Sequence, residues 1–216
     1  MTIDALLPVA FPAVATPTSP TRARVSTVVT DRSDPAEAAV EAVERLYLEQ
    51  WDRMVRLSYL LVRDQGQAEE IVQDSLIAVH QHWDRIEDHH RAVGYLRQSV
   101  VNRSRSALRH RGVVQRFLDR QSAPTDAAPA DGPALAADQR RIVLDALGRL
   151  PRRQREVLVL RYYLDLSEAE IAETLGISRG AVKSHASRGS AALRDILDRL
   201  GNDTSEKVRN DDAGSR

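Results

Sequence analysis

The chain has 216 residues, no cysteine, only 4% aromatic residues and a formal net charge of zero, a composition that excludes disulfides and thiolate metal sites and disfavours an all-β fold. This net charge of zero is the sum of opposite contributions. Residues 1–90 carry a net charge of −7, residues 91–120 carry +7, and the remaining residues are neutral overall. A local potential, and not the total, decides what a surface attracts, so nucleic acid is not excluded as a partner.

The first segment, residues 1–35, is rich in proline, threonine and serine and has no helical or strand period. It predicts a disordered N-terminal arm. Four prolines interrupt its first 20 residues and no basic segment precedes them, so we expect no signal peptide. Nowhere does an apolar run approach the roughly 18 residues of a membrane span, so we expect no membrane insertion.

Residues 36–111 show sustained helical periodicity and predict a first helical domain. Apolar residues at steps of three and four form one face of its first helix: Val40, Val43, Tyr47, Trp51, Met54, Leu57 and Leu61. A second helix is expected from about Gln67 to Trp83, with a core stripe on one side. The stripe comprises Ile71, Val72, Ser75, Leu76, Val79 and Trp83.

Ile77 falls on the opposite side of the second helix from this stripe. Four polar or acidic residues surround it there: Glu70, Gln73, Asp74 and Gln81. An isolated exposed aliphatic residue is common on protein surfaces, and geometry alone favours this interpretation. The alternative is a docking face with an apolar centre, as a protein interface would have.

A third helix is predicted from about Val93 to His110, and its exposed side is strongly basic. The basic and polar side chains on that side are Arg97, Asn102, Arg103, Arg105, Arg109 and Arg111. Like charges at helical spacing repel, and this row has no acidic partner on its own helix. We therefore favour a face neutralised by phosphates over a merely solvated one.

Residues 112–137 predict a flexible linker, because three prolines between 121 and 137 prevent a continuous helix. Fully extended, these 26 residues would span roughly 85–95 Å. Residues 138–200 are again helical, and residues 201–216 predict a disordered polar tail. The expected fold is all-α, with two small helical domains on a tether.

The second domain contains the most specific pattern in the chain. Leu150-Pro151 is expected to open a helix, with the proline at its first position. Ser167 and Glu170 form a capping box before a short helix, Gly176 ends that helix, and Ser178 caps a further one to about Leu197. The apolar spacing across both helices fits a helix-turn-helix motif.

The N-terminal part of the second helix of such a motif enters the major groove of DNA. Five side chains there suit base edges and phosphates: Arg179, Lys183, Ser184, His185 and Arg188. No acidic residue occurs between Arg179 and Arg194. A helical hairpin that binds no DNA would have to explain both this charge pattern and the spacing.

Taken together, these segments resemble the extracytoplasmic-function (ECF) group of bacterial sigma factors in the sigma-70 family. The segments similar to sigma region 2 are AEEIVQDSLIAVHQHW and YLRQSVVNRSRSALRHR, and the one similar to region 4 is LPRRQREVLVLRYYLDLSEAEIAETLGISRGAVKSHASRGSAALR. The resemblance implies a region 2 helical bundle over 36–111 and a four-helix region 4 domain over 138–200.

The resemblance also implies a role for each surface. The β′ clamp helices of core RNA polymerase would dock on Glu70, Gln73, Asp74 and Ile77, which favours the interface interpretation of Ile77. The −10 promoter element would bind Tyr95, Arg97, Asn102, Arg103, Arg105 and Arg109, and the −35 element would bind the helix from Ser178. The polymerase β flap would lie near residues 149–161.

The family often has tryptophan at the position of Tyr95, which is the one aromatic residue between Asp84 and Arg111. Capture of unpaired bases is therefore expected to involve His89, His90 and Arg91 in the preceding loop. The resemblance further implies promoter DNA as a partner, a cytoplasmic location beside the nucleoid, and no catalytic residue, cofactor or metal. An anti-sigma factor is an additional partner that it admits.

Two other classes of function stay open at this point. A regulator that binds palindromic operators as a dimer would use the helix-turn-helix but would leave residues 36–111 without a role. A metalloprotein would use some of the six histidines. Their spacing matches no recognised ligand pattern, since His80 and His82 point in different directions on a helix.

Overall fold

The computed structural model describes residues 35–86, 88–118 and 134–213, with side chains described over most of these ranges. Within them the chain forms seven α-helices, one 3-10 turn at Trp83–Arg85 and no strand. This confirms the all-α fold class. The helices are α1 Pro35–Val62, α2 Gln65–Gln81, α3 His89–Leu118, α4 Ala134–Arg149, α5 Arg152–Tyr162, α6 Glu168–Leu175 and α7 Arg179–Ala213. Residues 1–34 of the predicted arm lie outside the described residues.

Helices α1, α2 and α3 pack against one another, with the predicted α2 stripe from Ile71 to Val79 buried between them and Trp83 only partly buried. The predicted α1 face is partly wrong. Val40 is 54% exposed, whereas Ala39 and Leu46 are buried. The buried stripe therefore runs through Ala39 and Leu46, one residue and about 100° from the predicted line at each of these points.

Helix α3 is longer than predicted at both ends. The Asp88 carboxylate accepts a hydrogen bond from the Arg91 backbone N–H at 2.8 Å and so caps a helix that begins at His89. His90 and Arg91 therefore lie in the first helical turn and not in a loop. Residues 112–118 continue the helix into the predicted linker, and α4 begins before position 137. The remaining linker, 119–133, lies outside the described residues.

Helix α7 also continues where a disordered tail is predicted, through 201–213 up to Ala213. The tail prediction relied on its polar composition and on Gly201. A single glycine in a helix costs only about 1 kcal/mol relative to alanine, and no proline follows Gly201 to interrupt the backbone hydrogen bonds. Helix α5 also begins one residue later than predicted, because Pro151 is its N-cap.

Helix α5 is the centre of the C-terminal half and is buried nearly all round. Four consecutive aliphatic residues, 157–160, are each at most 2% exposed. A helix with one apolar face cannot bury four successive residues, so neighbours must cover more than one side. One neighbour is α7, which approaches Leu158 of α5 closely because Gly189 has no side chain. The other is α1, so the two helical halves pack together.

Candidate protein- and DNA-binding surfaces

The predicted polymerase-docking residues share one exposed face of α2. Glu70, Gln73, Asp74 and Ile77 are all exposed, and their spacing of three and four residues places them in one stripe. Ile77 is 50% exposed at the centre of this polar surface. The Asp74 carboxylate forms an ion pair with Arg103 of α3 at 2.9 Å, which connects this face to the predicted −10 face.

The turn between α6 and α7 has the predicted helix-turn-helix geometry. The Ser167 hydroxyl accepts from the Glu170 backbone N–H at 3.3 Å, and the Glu170 carboxylate accepts from the Ser167 backbone N–H at 2.9 Å. The Ser167 hydroxyl also donates to the Glu170 carboxylate at 2.7 Å, and this bond, together with the one from the Ser167 backbone N–H, lowers the pKa of the Glu170 carboxyl. Gly176 has φ +63°, and the Ile177 N–H donates to Ala172 O at 3.0 Å, which completes a Schellman motif.

The first turns of α7 present the predicted −35 residues, with one exception. Arg179, Lys183, Ser184 and Arg188 are exposed. Lys183 lies 3.7 Å from the Glu168 carboxylate, a weak surface ion pair that a phosphate can replace. His185 is only partly exposed, and its Nδ1 atom is buried with no hydrogen-bond partner among the described residues. Any contact of His185 with DNA would therefore use the exposed part of the ring.

The predicted −10 face is not the uncompensated basic surface that the sequence indicates. Arg105 donates to both carboxylate oxygens of Glu156 at 2.8 and 2.9 Å, and Arg97 donates to the Thr174 hydroxyl at 3.0 Å. These acceptors belong to α5 and α6. Helix-local spacing could not reveal them, because they lie 51 and 77 residues away in the chain.

The other residues of this face have partners within helices α1 to α3 or lie exposed. Arg109 donates to the Ser106 hydroxyl at 2.9 Å, and Arg111 donates to Val62 O at 3.0 Å. Asn102 is exposed and accepts from Arg105 at 3.1 Å. The Tyr95 ring is partly buried, with its centroid 5.9 Å from that of His82. Tyr95 therefore already has a ring neighbour within the protein.

A cleft of about 960 Å³ separates the start of α3 from α6. Its lining contains basic and acidic side chains, which are Arg53, His90, Arg91, Arg97, Asp88, Asp165, Glu170 and Glu173. Burial in this cleft lowers the pKa of the Arg97 guanidinium, and the negative charges of Glu170 and Glu173 oppose this change. His90 and Arg91, two of the three predicted base-capturing residues, thus line a cleft that also contains acidic groups of the C-terminal half, and the side chain of His89 lies outside the described residues.

Glu156 is the important residue that sequence reasoning did not assign. Its side chain is 2% exposed and forms ion pairs with Arg105, with Arg153 at 3.1 Å and with Arg152 at 3.8 Å. The sequence contained a signal, since Glu156 is the one acidic residue among five arginines in 149–161. A single acid in so basic a stretch is a candidate for a shared, buried carboxylate.

Two further observations concern the described residues only. No helix among them is long and apolar enough to cross a membrane. Likewise, the part of the chain with described coordinates contains no group of three or more His, Asp or Glu side chains that could hold a metal ion.

Comparison with known proteins gives two family matches and several relatives. The model for sigma-70 region 2 matches residues 39–113, and the model for sigma-70 region 4 matches residues 140–193. The ECF RNA polymerase sigma factor SigL of Mycobacterium tuberculosis is 35% identical over 174 residues, which cover 78% of this chain and 96% of SigL. The RNA polymerase sigma-E factor of Streptomyces coelicolor is 33% identical over 149 residues, covering 68% and 80% respectively.

Two solved structures share the fold. The sigma factor RpoE from Bartonella quintana, in complex with the anti-sigma factor NepR, has a TM-score of 0.57 at 23% identity and covers 72% of this chain and 96% of its own. CnrH in complex with the cytosolic domain of CnrY has a TM-score of 0.54 at 23% identity, with 76% and 97% covered.

Proposed function

The chain belongs to the ECF group of the sigma-70 family of RNA polymerase sigma factors, and from this premise we propose which residues carry each of its contacts. The protein binds core RNA polymerase and directs promoter-specific initiation of transcription. We place region 2 on α1–α3 and region 4 on α4–α7. We assign no catalytic residue, because recruitment and strand separation require only binding energy.

The exposed, acid-free start of α7 is the observation that carries the −35 assignment. The α6–α7 unit has a capping box and a tight turn between its helices. Its second helix exposes Arg179, Lys183 and Arg188 in its N-terminal part, which is the part that enters the major groove. We assign −35 contacts to these three residues, to Ser184 and to the exposed part of His185. Arginine and lysine contacts to phosphates position the helix, and contacts to base edges specify the sequence.

The exposed face of α2 is the proposed docking site for the β′ clamp helices. Interfaces combine an apolar centre with a polar rim. Ile77 supplies the centre and Glu70, Gln73 and Asp74 the rim, which supports the assignment. The arginine-rich stretch 149–161 is the proposed neighbour of the β flap.

The −10 element is proposed to bind α3 through the six predicted residues Tyr95, Arg97, Asn102, Arg103, Arg105 and Arg109. Asn102 and Arg109 are exposed, so DNA can reach them directly. Arg97, Arg103 and Arg105 already have acceptors within the protein. These three would have to exchange a carboxylate or hydroxyl acceptor for a phosphate or a base.

Two further proposals concern an additional protein partner and the location in the cell. The sigma factor RpoE from Bartonella quintana, which shares this fold, is bound to the anti-sigma factor NepR, and we propose that this chain also has such a partner. A protein that acts on core polymerase and promoter DNA in bacteria works in the cytoplasm beside the nucleoid, which is the location we propose.

Run-off transcription with purified core polymerase on genomic DNA, with and without the protein, tests the proposed function. We expect discrete new transcripts that depend on the protein and disappear in the Arg179→Ala/Lys183→Ala double variant. A dimeric operator-binding regulator would bind DNA but would produce no new transcript with core polymerase alone. The absence of protein-dependent transcripts on any genomic fragment would contradict the function.

A further inference from the structure

The C-terminal helices lie directly against the helix to which the −10 element is assigned. Helix α6 packs against α3, and α4 and α5 pack against α1. Arg97 of α3 donates to Thr174 of α6 at 3.0 Å, and Arg105 of α3 donates to Glu156 of α5 at 2.8 and 2.9 Å. Region 4 thus occupies two of the guanidinium groups assigned to promoter DNA.

We propose that this packing is a closed resting conformation, in which region 4 covers the −10 face of region 2 and competes with promoter DNA for Arg97 and Arg105. The inference rests on the proposed function, since it takes both residues as −10 contacts. A guanidinium binds a carboxylate and a phosphate in the same bidentate geometry. Arg105 cannot serve Glu156 and a DNA phosphate at once, so closure and −10 binding exclude each other.

The acidic residues between α5 and α7 act in the closed form as a substitute for DNA. Asp165, Glu170 and Glu173 line the cleft opposite Arg53 and Arg97. The negative charges of Glu170 and Glu173 favour the charged form of Arg97 in this partly buried site. Glu170 also completes the capping box of α6, but Asp165 and Glu173 have no role in the proposed −35 contacts, whereas closure over a basic surface gives them one.

Apolar burial adds to the electrostatic contact. On α5 the positions 155, 156, 159 and 163 fall within one stripe at 100° per residue. Three of them touch region 2, since Arg155 donates to Leu61 O at 3.0 Å, Tyr163 donates to Arg53 O at 3.1 Å and Glu156 accepts from Arg105. Val159 lies within this stripe and is 2% exposed, so opening would uncover an aliphatic side chain and the closed form also gains from the hydrophobic effect.

The closed form is reversible because opening leaves no isolated buried charge. Removing one partner of a buried ion pair is costly when the other stays buried and alone. On opening, Arg105 returns to water, and Glu156 returns to water with Arg153 still beside it at 3.1 Å. Four of the five −35 residues and Ile77 stay exposed in the closed form, and His185 is partly exposed, so polymerase and the −35 element can bind before the −10 face is released.

Distance measurements between two spin labels test the closed form directly. The chain contains no cysteine, so Glu44→Cys on α1 and Ala191→Cys on α7, both exposed, give two unique labelling sites. We expect a single narrow distance for the otherwise wild-type chain. Glu173→Arg reverses a charge that faces Arg97 and Arg53, and we expect it to give a longer and broader distribution. The double variant Tyr163→Phe/Thr174→Val alters no charge. It should also lengthen and broaden the distance distribution, but to a smaller extent.

Affinity for single-stranded DNA tests whether the closed form matters for region 2. With a fluorescent 12-nucleotide strand of mixed sequence, we expect Glu173→Arg to bind more tightly by the inverse of the open fraction, about tenfold if one molecule in ten is open. Asp198→Arg is the matched control, because it makes the same charge change at an exposed site on α7 away from the cleft. It should keep the narrow distance and gain less affinity.

The two measurements separate the possible failures. A broad distance distribution in the wild-type chain would overturn the closed form whatever the protein does. A Glu173→Arg chain that opens but binds the strand no better than Asp198→Arg would overturn the competition for the −10 face. Run-off transcription by the wild-type protein then shows independently whether the proposed function survives.

Discussion

Ser167 and Glu170 show how much a single turn depends on its first residues. A helix leaves its first backbone N–H groups without partners, and the reciprocal hydrogen bonds of the capping box satisfy two of them in α6. The hydrogen bonds that the Ser167 hydroxyl and backbone N–H donate to the Glu170 carboxylate lower its pKa, because they favour its charged form. The orientation of α6 in turn determines where the first turn of α7 can present Arg179.

Ser167→Ala should lower the free energy of unfolding by about 1 kcal/mol at pH 7. Because the folded pKa of Glu170 is below its unfolded value, the contribution of its carboxylate is present above the unfolded pKa and is lost as the pH falls through the folded one. The cost of Ser167→Ala should therefore shrink on acidification, as measured by urea unfolding over a pH series. Ser178→Ala is the matched control, since the third position after Ser178 is Ala181 and its cost should not vary with pH. Equal pH dependence in both variants would contradict the role of Glu170.

Lys183→Ala should weaken binding to the −35 duplex for all sequences alike, and it should reduce the slope of log affinity against log salt by about one. The reason is that an exposed lysine at this position binds a phosphate and releases one counterion. Fluorescence anisotropy at several salt concentrations measures the slope. Arg199→Ala removes another exposed charge, from a later turn of α7, and should leave the slope unchanged. A wild-type slope in Lys183→Ala would exclude the phosphate contact.

Among single residues, those that act locally were predictable and those that act across the chain were not. The capping residues Ser167, Gly176 and Ser178 each lie within four residues of the backbone groups with which they form hydrogen bonds. The local sequence is therefore enough to predict them. Glu156 and Arg105 are 51 residues apart; Arg105 is predicted as part of a phosphate-binding face, and Glu156 has no predicted role. Nothing in the local pattern specifies which distant helix will supply a partner.

Helix α2 was the best predicted element, because the 3.6-residue period of its sequence specifies both its buried stripe and its exposed face. The predicted core residues from Ile71 to Val79 are buried on one side, and Ile77 is exposed on the other. Helices α3 and α7 were predicted too short, since Asp88 was not recognised as a cap and Gly201 was given too much weight. The ends of helices depend on marginal energies that tertiary packing can reverse.

Ile77→Glu should lower the affinity for core polymerase by tenfold or more while the fold is retained. A carboxylate at the centre of an apolar contact loses its hydration without gaining a partner, whereas the exposed site tolerates it in the free protein. A binding titration with labelled core polymerase measures the effect. Val40→Glu introduces the same change at a similarly exposed residue, 54% against 50%, on a different helix. If both variants bind like the wild type, the α2 face is not the docking site.

At the scale of the molecule, the two halves were expected to stand apart on a tether and instead pack together. The four consecutive aliphatic residues 157–160 of α5 require burial on more than one side, but the local sequence could not show that two different helices cover them. The sequence also overstated the reach of the connection, because turns of α3 and α4 take up residues at both ends. The chain between Leu118 and Ala134 contains 15 residues and can span at most roughly 50–55 Å, or about 15 base pairs at 3.4 Å each.

Deleting residues 121–130 should therefore leave binding to a single promoter element intact and prevent simultaneous binding to both elements. Five residues would remain between the helix ends, which is roughly 20 Å, too short for regions 2 and 4 to hold well-separated elements together. The gain from bivalency would be lost, so run-off transcription should fall by tenfold or more while affinity for a −35 duplex stays at the wild-type level. Replacing the same ten residues by a glycine-serine segment of equal length should retain transcription, because only the reach of the tether matters. Full activity of the deletion variant would show that the two regions never bind their elements at the same time.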